Sequence, residues 1–204
     1  MHLTVAFDRF MPTARWGGLF HVLRLEQPGV ELHWQADGYP TIGRSLLNGA
    51  DVGLFLAPPC PPGLSALTIE TSPMAVVMAA GHRLAAHDEL SIRDVIDEPF
   101  PGGPDLDPAW RAFWTLDALR GGPPTLAGDD VADIERGLDV VAAGLAIATV
   151  AASSAEALPH LGVVALPLRG GPPVETRLVW PSDAENPMVH ALVDLAVAWT
   201  RRRP

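Results

Sequence analysis

SLLNGADVGLFLAPP, residues 45–59, joins a helix to a strand with almost no loop between them. The helical segment ends at Asn48-Gly49, because glycine suits the left-handed backbone that follows many helices. Residues 51–57 are apolar almost throughout, which is typical of a strand covered on both faces of a sheet. A proline-rich loop follows. The stretch therefore predicts a helix-to-strand junction in a βαβ unit, with a rigid loop at the carboxyl end of the strand, where open α/β sheets bind ligands.

The same alternation of strand and helix patterns continues on both sides of this stretch. It forms two sets, at residues 3–57 and 98–150, and the first set contains an amphipathic helix predicted over 13–27. Strand-rich segments at 64–80 and 163–180 lie between and after the two sets, and a final helix follows them. This order predicts an α/β fold with two lobes joined by two crossing segments.

Composition limits the classes of function. The chain of 204 residues is 48% hydrophobic and 19% charged, which is typical of a folded globular protein. A net charge of −10 argues against binding nucleic acid or anionic lipid through a general basic field. No apolar run approaches the roughly 18 residues of a membrane span, and the first residues do not form a secretory signal. We therefore expect a soluble, cytoplasmic protein with no membrane partner.

Catalytic and metal-binding patterns are weak. Cys60 lies in PPCPPG, with no sequence sign of a base placed to activate its thiol. The seven histidines show neither HxH nor HExxH spacing, so we expect no metal site. Ser153 and Ser154 begin a predicted helix and are interpreted as capping residues. We expect no catalytic residue, no enzymatic activity and no cofactor.

Several segments together resemble the effector-binding domain of LysR-type transcriptional regulators over essentially the whole chain. In order they are LTVAF, QPGVELHWQA, LLNGADVGLFLAPP, AVVMAAGHRLA, ELSIRDVIDEPF and VVAAGLAIATVAAS. The resemblance implies a two-lobed, periplasmic-binding-protein-like (type II) α/β fold with a ligand cleft between the lobes. Lobe one would comprise residues 1–72 and 172–204, and lobe two residues 73–171, with crossings near 68–76 and 168–176.

The chain departs from the family pattern in places. The usual His-Pro-Leu-Ala reads His82-Arg83-Leu84-Ala85, and the loop after the second strand has Tyr39 where many members place a small hydroxyl residue. The sequence starts directly at the first strand of the effector domain, so we expect no DNA-binding domain within it. Whether it belongs to a longer regulator or is a natural stand-alone domain stays open.

Loops at the carboxyl ends of strands are predicted to converge on the cleft. Arg9 would pair with a ligand carboxylate through two hydrogen bonds, or else pair only with Asp8 or Asp37 as a solvated loop residue. Helix starts in the same loops offer free N–H groups to an anion, although Asp129 and Asp130 oppose this if they cap a helix. Trp110 fits a core position, but its place near a helix start also allows contact with the cleft. The predicted ligand-binding residues are Asp8, Arg9, Phe10, Met11, Thr13, Tyr39, Thr41, Pro58, Gly102, Trp110, Asp129 and Asp130.

The resulting interpretation is a regulatory domain that binds a small-molecule effector, expected to be a small organic acid, and transmits lobe closure to DNA-binding arms outside the chain. A stand-alone binding protein of the same fold is the second interpretation, and an enzyme on that fold is the third. The family also implies a homodimer, with helix 13–27 of one subunit against the second lobe of its partner, and a tetramer in a full-length regulator. DNA would be bound only through a winged helix-turn-helix that this chain lacks.

Overall fold

The computed structural model describes residues 1–8, 16–37, 49–56, 60, 62–102, 108–128, 131, 134–155, 158 and 162–202. The chain divides into two compact units: unit 1 comprises Met1–Thr71 and Glu175–Pro204, and unit 2 comprises Ser72–Val174. The chain therefore passes from one unit to the other twice, after Thr71 and after Val174. The predicted lobe boundaries lie after residues 72 and 171.

The described elements alternate between strands and helices along most of the chain. In order, the strands are β1 (His2–Asp8), β2 (Glu31–Asp37), β3 (Val52–Leu56), β4 (Leu64–Ser72), β5 (Met74–Ala79), β6 (Leu90–Ser91), β7 (Phe100–Pro101), β8 (Leu126–Ala127), β9 (Ala148–Ala151), β10 (Val163–Arg169) and β11 (Val174–Pro181). The α-helices are α1 (Gly17–Glu26), α2 (Ile92–Val95), α3 (Pro108–Trp114), α4 (Asp117–Arg120), α5 (Ile134–Ala142), α6 (Ala152–Ala155) and α7 (Pro187–Arg202), with a 3-10 helix at Arg83–Ala86.

Unit 1 is built on a five-stranded sheet in the order β2-β1-β3-β11-β4. Strands β1, β2 and β3 run parallel, and β11 returns antiparallel to β3. Every residue of β3 is buried, as its apolar run predicts for a strand covered on both faces. Gly49, just before this strand, has a φ of +100°, which confirms the left-handed position predicted for it.

Helix α1 packs beside α7 in unit 1. Its buried residues Leu19, Phe20 and Leu23 belong to the stripe that the sequence pattern predicts. The prediction placed the helix start at residue 13, whereas the helix begins at Gly17; residues 13–15 lie outside the described part of the chain. A Cβ atom on Gly18 would come within 2.7 Å of the Trp199 ring, so glycine at this position allows the two helices to approach closely.

Asp51 lies just before the amino end of β3, and it stabilises that end of the strand rather than the carboxyl end, where a ligand is predicted. Its Oδ2 accepts a hydrogen bond from the backbone N–H of Thr4 at 2.7 Å, and its own N–H donates to the Thr4 carbonyl at 2.9 Å. Its Oδ1 accepts from the side-chain amide of Asn186 at 2.9 Å, and Asn186 in turn accepts from the N–H of Met188 in the first turn of α7. This acid therefore joins β1, β3 and the last helix.

Unit 2 contains a four-stranded sheet in the order β6-β10-β5-β9 and a separate two-stranded sheet, β7-β8. Strand β5 is buried over Met74–Met78 and pairs antiparallel with both of its neighbours. The predicted capping box at the start of α2 is present: the Asp94 carboxylate accepts from the Ser91 N–H at 2.7 Å, and the Ser91 side chain accepts from the backbone N–H of Asp94. The Ser91 Oγ also lies 2.7 Å from the Asp94 carboxylate. These hydrogen bonds hold the pKa of Asp94 below its usual range.

The helix predicted over residues 107–119 is interrupted. It divides into α3 and α4 because Leu116 has a φ of +62°, in the left-handed region that side chains rarely adopt. The Thr115 Oγ1 lies 2.8 Å from the Arg111 carbonyl oxygen and 2.5 Å from an Asp117 carboxylate oxygen, so its one hydrogen has two acceptors within reach. These local bonds compete with the helical pattern, as threonine and aspartate side chains often do.

Candidate functional site

Of the predicted ligand-binding residues, the structure describes Asp8, Gly102 and Trp110. The others lie outside the described part of the chain, so their role stays a prediction. They are Arg9, Phe10, Met11, Thr13, Tyr39, Thr41, Pro58, Asp129 and Asp130.

The ligand edge of unit 1 is the edge at which its parallel strands end. Asp8 is the last residue of β1 and pairs in register with Asp37, the last residue of β2. Strand β3 ends nearby at Leu56, whose partner in β11 is Thr176. Asp8, Asp37 and the start of β11 therefore lie along the same edge of the sheet. This is the edge at which an open α/β sheet is expected to bind a ligand.

A hydrogen-bonded group lies next to this edge and consists of Thr68 on β4 with Glu175 and Arg177 on β11. The sequence analysis did not predict it. Arg177 pairs in register with Phe55, and its Nε donates to the Glu175 carboxylate at 2.7 Å. A second guanidinium nitrogen, Nη2, donates to the same oxygen, and the Thr68 hydroxyl reaches it at 3.2 Å. The Glu175 and Arg177 side chains are one third and one quarter exposed, at 33% and 25%. The sequence held one signal for this pair: Glu175 and Arg177 are two residues apart on a predicted strand, which places both side chains on the same face of the sheet.

The electrostatics of this group favour an ionised carboxylate. The hydrogen bonds from Arg177 hold the pKa of Glu175 below its usual range, and Thr68 adds to the effect. Cys60 lies close to the same guanidinium and packs on the cluster of Ala6, Phe55 and their neighbours. Partial burial raises the pKa of the Cys60 thiol despite the nearby positive charge, so the less nucleophilic thiol form prevails at neutral pH.

In unit 2, Gly102 follows β7 at its carboxyl end. Its N–H donates to the Ala127 carbonyl at 3.0 Å, and a Cβ atom here would come within 2.7 Å of the Leu126 Cβ. Glycine at this position is therefore needed for the close packing of β7 and β8. Trp110 is buried in α3, with its ring centroid 5.9 Å from that of Trp114, which fits the core position that the sequence pattern allowed; its contact with a ligand stays a prediction.

A cavity of about 450 Å³ lies at the other end of β7 and β8, where these strands begin. It is lined by Ile96, Asp97 and residues 120–125. Arg120 in its wall donates to the carbonyls of Thr115, Val95 and Glu98 at 2.9–3.3 Å, and burial lowers the pKa of its guanidinium. These bonds to backbone carbonyls give Arg120 a structural role, and the cavity is not at the carboxyl ends of the strands. We therefore do not assign the ligand site to this cavity.

The described residues carry neither a metal-binding cluster nor a membrane-spanning helix. In that part of the chain, no group of three or more histidine, cysteine, aspartate or glutamate side chains is placed to hold a metal ion. Over the same ranges, no helix is both long enough and apolar enough to cross a membrane.

Comparison with known proteins connects this geometry to one family. The family model described as the LysR substrate binding domain matches residues 1–201. The effector binding domain of QuiR in complex with shikimate has a TM-score of 0.80 at 18% identity, covering 100% of this chain and 98% of that one. The BenM effector binding domain with its effector benzoate has a TM-score of 0.71 at 18% identity, covering 97% and 90%. Among curated proteins, none matches the chain.

Full-length regulators extend beyond the region of similarity. A full-length BenM mutant has a TM-score of 0.73 at 18% identity and covers 96% of this chain, which spans 66% of that protein. At 18% sequence identity, the similarity of these structures to the chain establishes its fold alone. The prediction of a two-lobed type II periplasmic-binding-like fold is confirmed.

Proposed function

Because the chain belongs to the LysR substrate-binding domain family, we propose that it is the sensor of a transcriptional regulator and that its effector is a small organic acid. The observation that carries this proposal is the match of the family model to residues 1–201. Effector-binding domains in this family bind small molecules, and the ligands named for BenM and QuiR, benzoate and shikimate, are both carboxylates. The structural neighbours are regulatory domains rather than enzymes.

We place the effector at the carboxyl edges of the parallel strands. Asp8 and Asp37 lie side by side at the edge of unit 1, and Gly102 follows β7 in unit 2. Arg9, the residue after Asp8, would hold the carboxylate, because a guanidinium matches it in charge and geometry. Tyr39 would contact the body of the ligand with its ring and hydroxyl. The remaining proposed contacts are Phe10, Met11, Thr13, Thr41, Pro58, Trp110, Asp129 and Asp130.

The proposed signal is a shift in the population of closed lobes. A ligand that contacts both lobes binds the closed state better, and it can shift the equilibrium only by that difference in affinity. In a full-length regulator, which would act in the cytoplasm, closure would reposition DNA-binding arms that lie outside these residues. The chain itself carries a net charge of −10, so we propose no direct contact with DNA.

We also propose that the chain forms a homodimer, because the family resemblance implies one and because helix α1 carries an exposed leucine. Leu25 on this helix is 65% exposed, beyond the buried stripe of Leu19 and Leu23. An exposed leucine on a helix that the family uses for pairing supplies apolar area for an interface. Sedimentation velocity at high concentration is expected to show a dimer. A single monomeric boundary at every concentration would contradict this part of the proposal.

A thermal-shift screen tests the ligand class. The panel comprises benzoate, shikimate, other aromatic and aliphatic carboxylates, and for each acid its uncharged amide as a matched control. We expect at least one acid to raise the melting temperature and its amide to leave it unchanged, because only the acid offers a charge to Arg9. Stabilisation by amides as strong as that by the acids would refute the organic-acid proposal.

A further inference from the structure

Two buried hydrogen-bond donors on helix α3 have no acceptor within the described part of the chain. They are the Nε of Arg111 and the indole Nε1 of Trp114. The Trp114 side chain lies in the core of unit 2 and is 9% exposed. A donor that has left water without gaining an acceptor destabilises a fold, and such groups are rare in folded proteins. The packing of α3 alone therefore does not account for this pair.

The two donors belong to neighbouring positions on the helix surface. Arg111 and Trp114 are three residues apart on α3, which places them side by side on a helix. The Trp114 carbonyl accepts a hydrogen bond from the Thr149 hydroxyl of β9. Its ring lies 5.9 Å from that of Trp110 and 5.1 Å from that of Phe113, measured between ring centroids. These contacts fix Trp114 one helical turn from the arginine.

The charge of Arg111 is also not paired by any described carboxylate, although the chain as a whole carries a net charge of −10. Asp117 is the next acid along the chain, and its carboxylate lies 2.5 Å from the Thr115 hydroxyl instead. Other arginines of the described residues do form ion pairs with carboxylates, and they include Arg83, Arg136, Arg169 and Arg177. Arg111 therefore differs from them in having both an unpaired charge and a buried donor.

From these observations we propose that Arg111 and Trp114 bind an oxyanion in unit 2, either a carboxylate or a phosphate group. Both side chains offer donors only, and one of them is cationic, so the complementary group has adjacent, negatively charged acceptor oxygens. The two nitrogens are shielded from water, so the oxyanion reaches them through a local shift of α3, a helix of seven residues that is followed by the backbone break at Leu116.

This inference goes beyond the proposed function, because it does not require the chain to be a sensor. The oxyanion has two sources that share the same chemistry: an acid group of the effector, or a separate inorganic anion. The site lies within unit 2, whereas Arg9, the residue proposed to hold the effector carboxylate, belongs to unit 1.

The indole N–H signals of the tryptophans in an NMR spectrum test the site directly. The probes are inorganic phosphate and benzoate, each titrated into the full chain at constant ionic strength with chloride as the reference anion. Trp114→Phe identifies the Trp114 signal. We expect at least one of the two oxyanions to shift this signal saturably and chloride to leave it unchanged. Arg111→Gln is expected to weaken that binding at least about tenfold, the scale of one charge-assisted hydrogen bond.

Arg93→Gln is the matched control, because it removes the same charge from an exposed position on α2 of the same unit. It is expected to leave the affinity unchanged, and the remaining indole signals report whether each variant is folded. No response of Trp114 to either oxyanion, or equal weakening by Arg111→Gln and Arg93→Gln, would overturn the inference.

A competition experiment distinguishes the two sources of the oxyanion. An effector that supplies its own acid group competes with phosphate at Trp114, whereas a separate anion binds together with the effector. The carboxylate that stabilises the chain most in the thermal-shift screen serves as the effector. Arg9→Ala is expected to leave the response of Trp114 to phosphate unchanged, so a failure of effector binding in that variant bears on the proposed function alone.

Discussion

At the scale of single residues, the carboxylate of Glu175 accepts hydrogen bonds from both Arg177 and Thr68 beside the ligand edge of unit 1. Its pKa is held below the usual value by the hydrogen bonds from Arg177. A carboxylate with a lowered folded pKa stabilises the fold above its unfolded pKa, and this contribution is lost as the pH falls through the folded pKa. Acid should therefore weaken the hydrogen bonds by which Glu175 joins Thr68 of β4 to Arg177 of β11.

The variant Glu175→Gln measures that contribution. At neutral pH it is expected to lower the free energy of unfolding by at most about 1 kcal/mol, because the pair is partly exposed and solvent screens it. Below the folded pKa the wild-type side chain is also neutral, so the difference is expected to close. Denaturant unfolding of both proteins at a series of acidic pH values, compared with neutral pH, gives the comparison. A difference that does not shrink as the pH falls below the usual range of a glutamate would show that ionisation of Glu175 does not contribute.

At the scale of elements, the contact between α1 and α7 depends on one glycine. Gly18→Ala would place a Cβ atom 2.7 Å from the Trp199 ring, and such overpacking typically costs about 1–3 kcal/mol. Gly17→Ala is the control, because a Cβ there meets nothing within 4 Å and alanine favours a helix. In thermal and denaturant unfolding, Gly17→Ala is expected to be more stable than wild type, and Gly18→Ala less stable. Equal stability of the two variants would show that the helices do not need this close approach.

Local sequence patterns predicted some of these elements and not others. Strand β3 and the capping box of α2 were predictable, because apolar runs and cap residues act within a few positions. The break at Leu116 was not, since apolar periodicity continues through it and leucine rarely adopts the left-handed region. The group of Thr68, Glu175 and Arg177 was missed for another reason: its members are brought together by strand pairing across more than a hundred residues of chain.

At the scale of the whole molecule, the order of strand-rich and βα segments predicts a fold with two lobes, and the family match confirms that fold. The candidate site was only partly predictable. The sequence places Asp8 at a strand end, and the register adds Asp37 beside it. The identity of the ligand depends on side chains from several loops acting together, and spacing along one chain does not determine how those loops meet.

Calorimetric titration of wild type and Arg9→Ala with the carboxylate that stabilises the chain most in the screen is the most direct test of the proposed effector site. The account predicts saturable binding by the wild type. It also predicts binding weaker by about 1.5–3 kcal/mol in Arg9→Ala, the scale of a charge-assisted hydrogen bond, with little change in unfolding. The uncharged amide of the same compound should bind no better to wild type than to Arg9→Ala. Equal affinity of the two proteins for the carboxylate would contradict the account and remove Arg9 from the site.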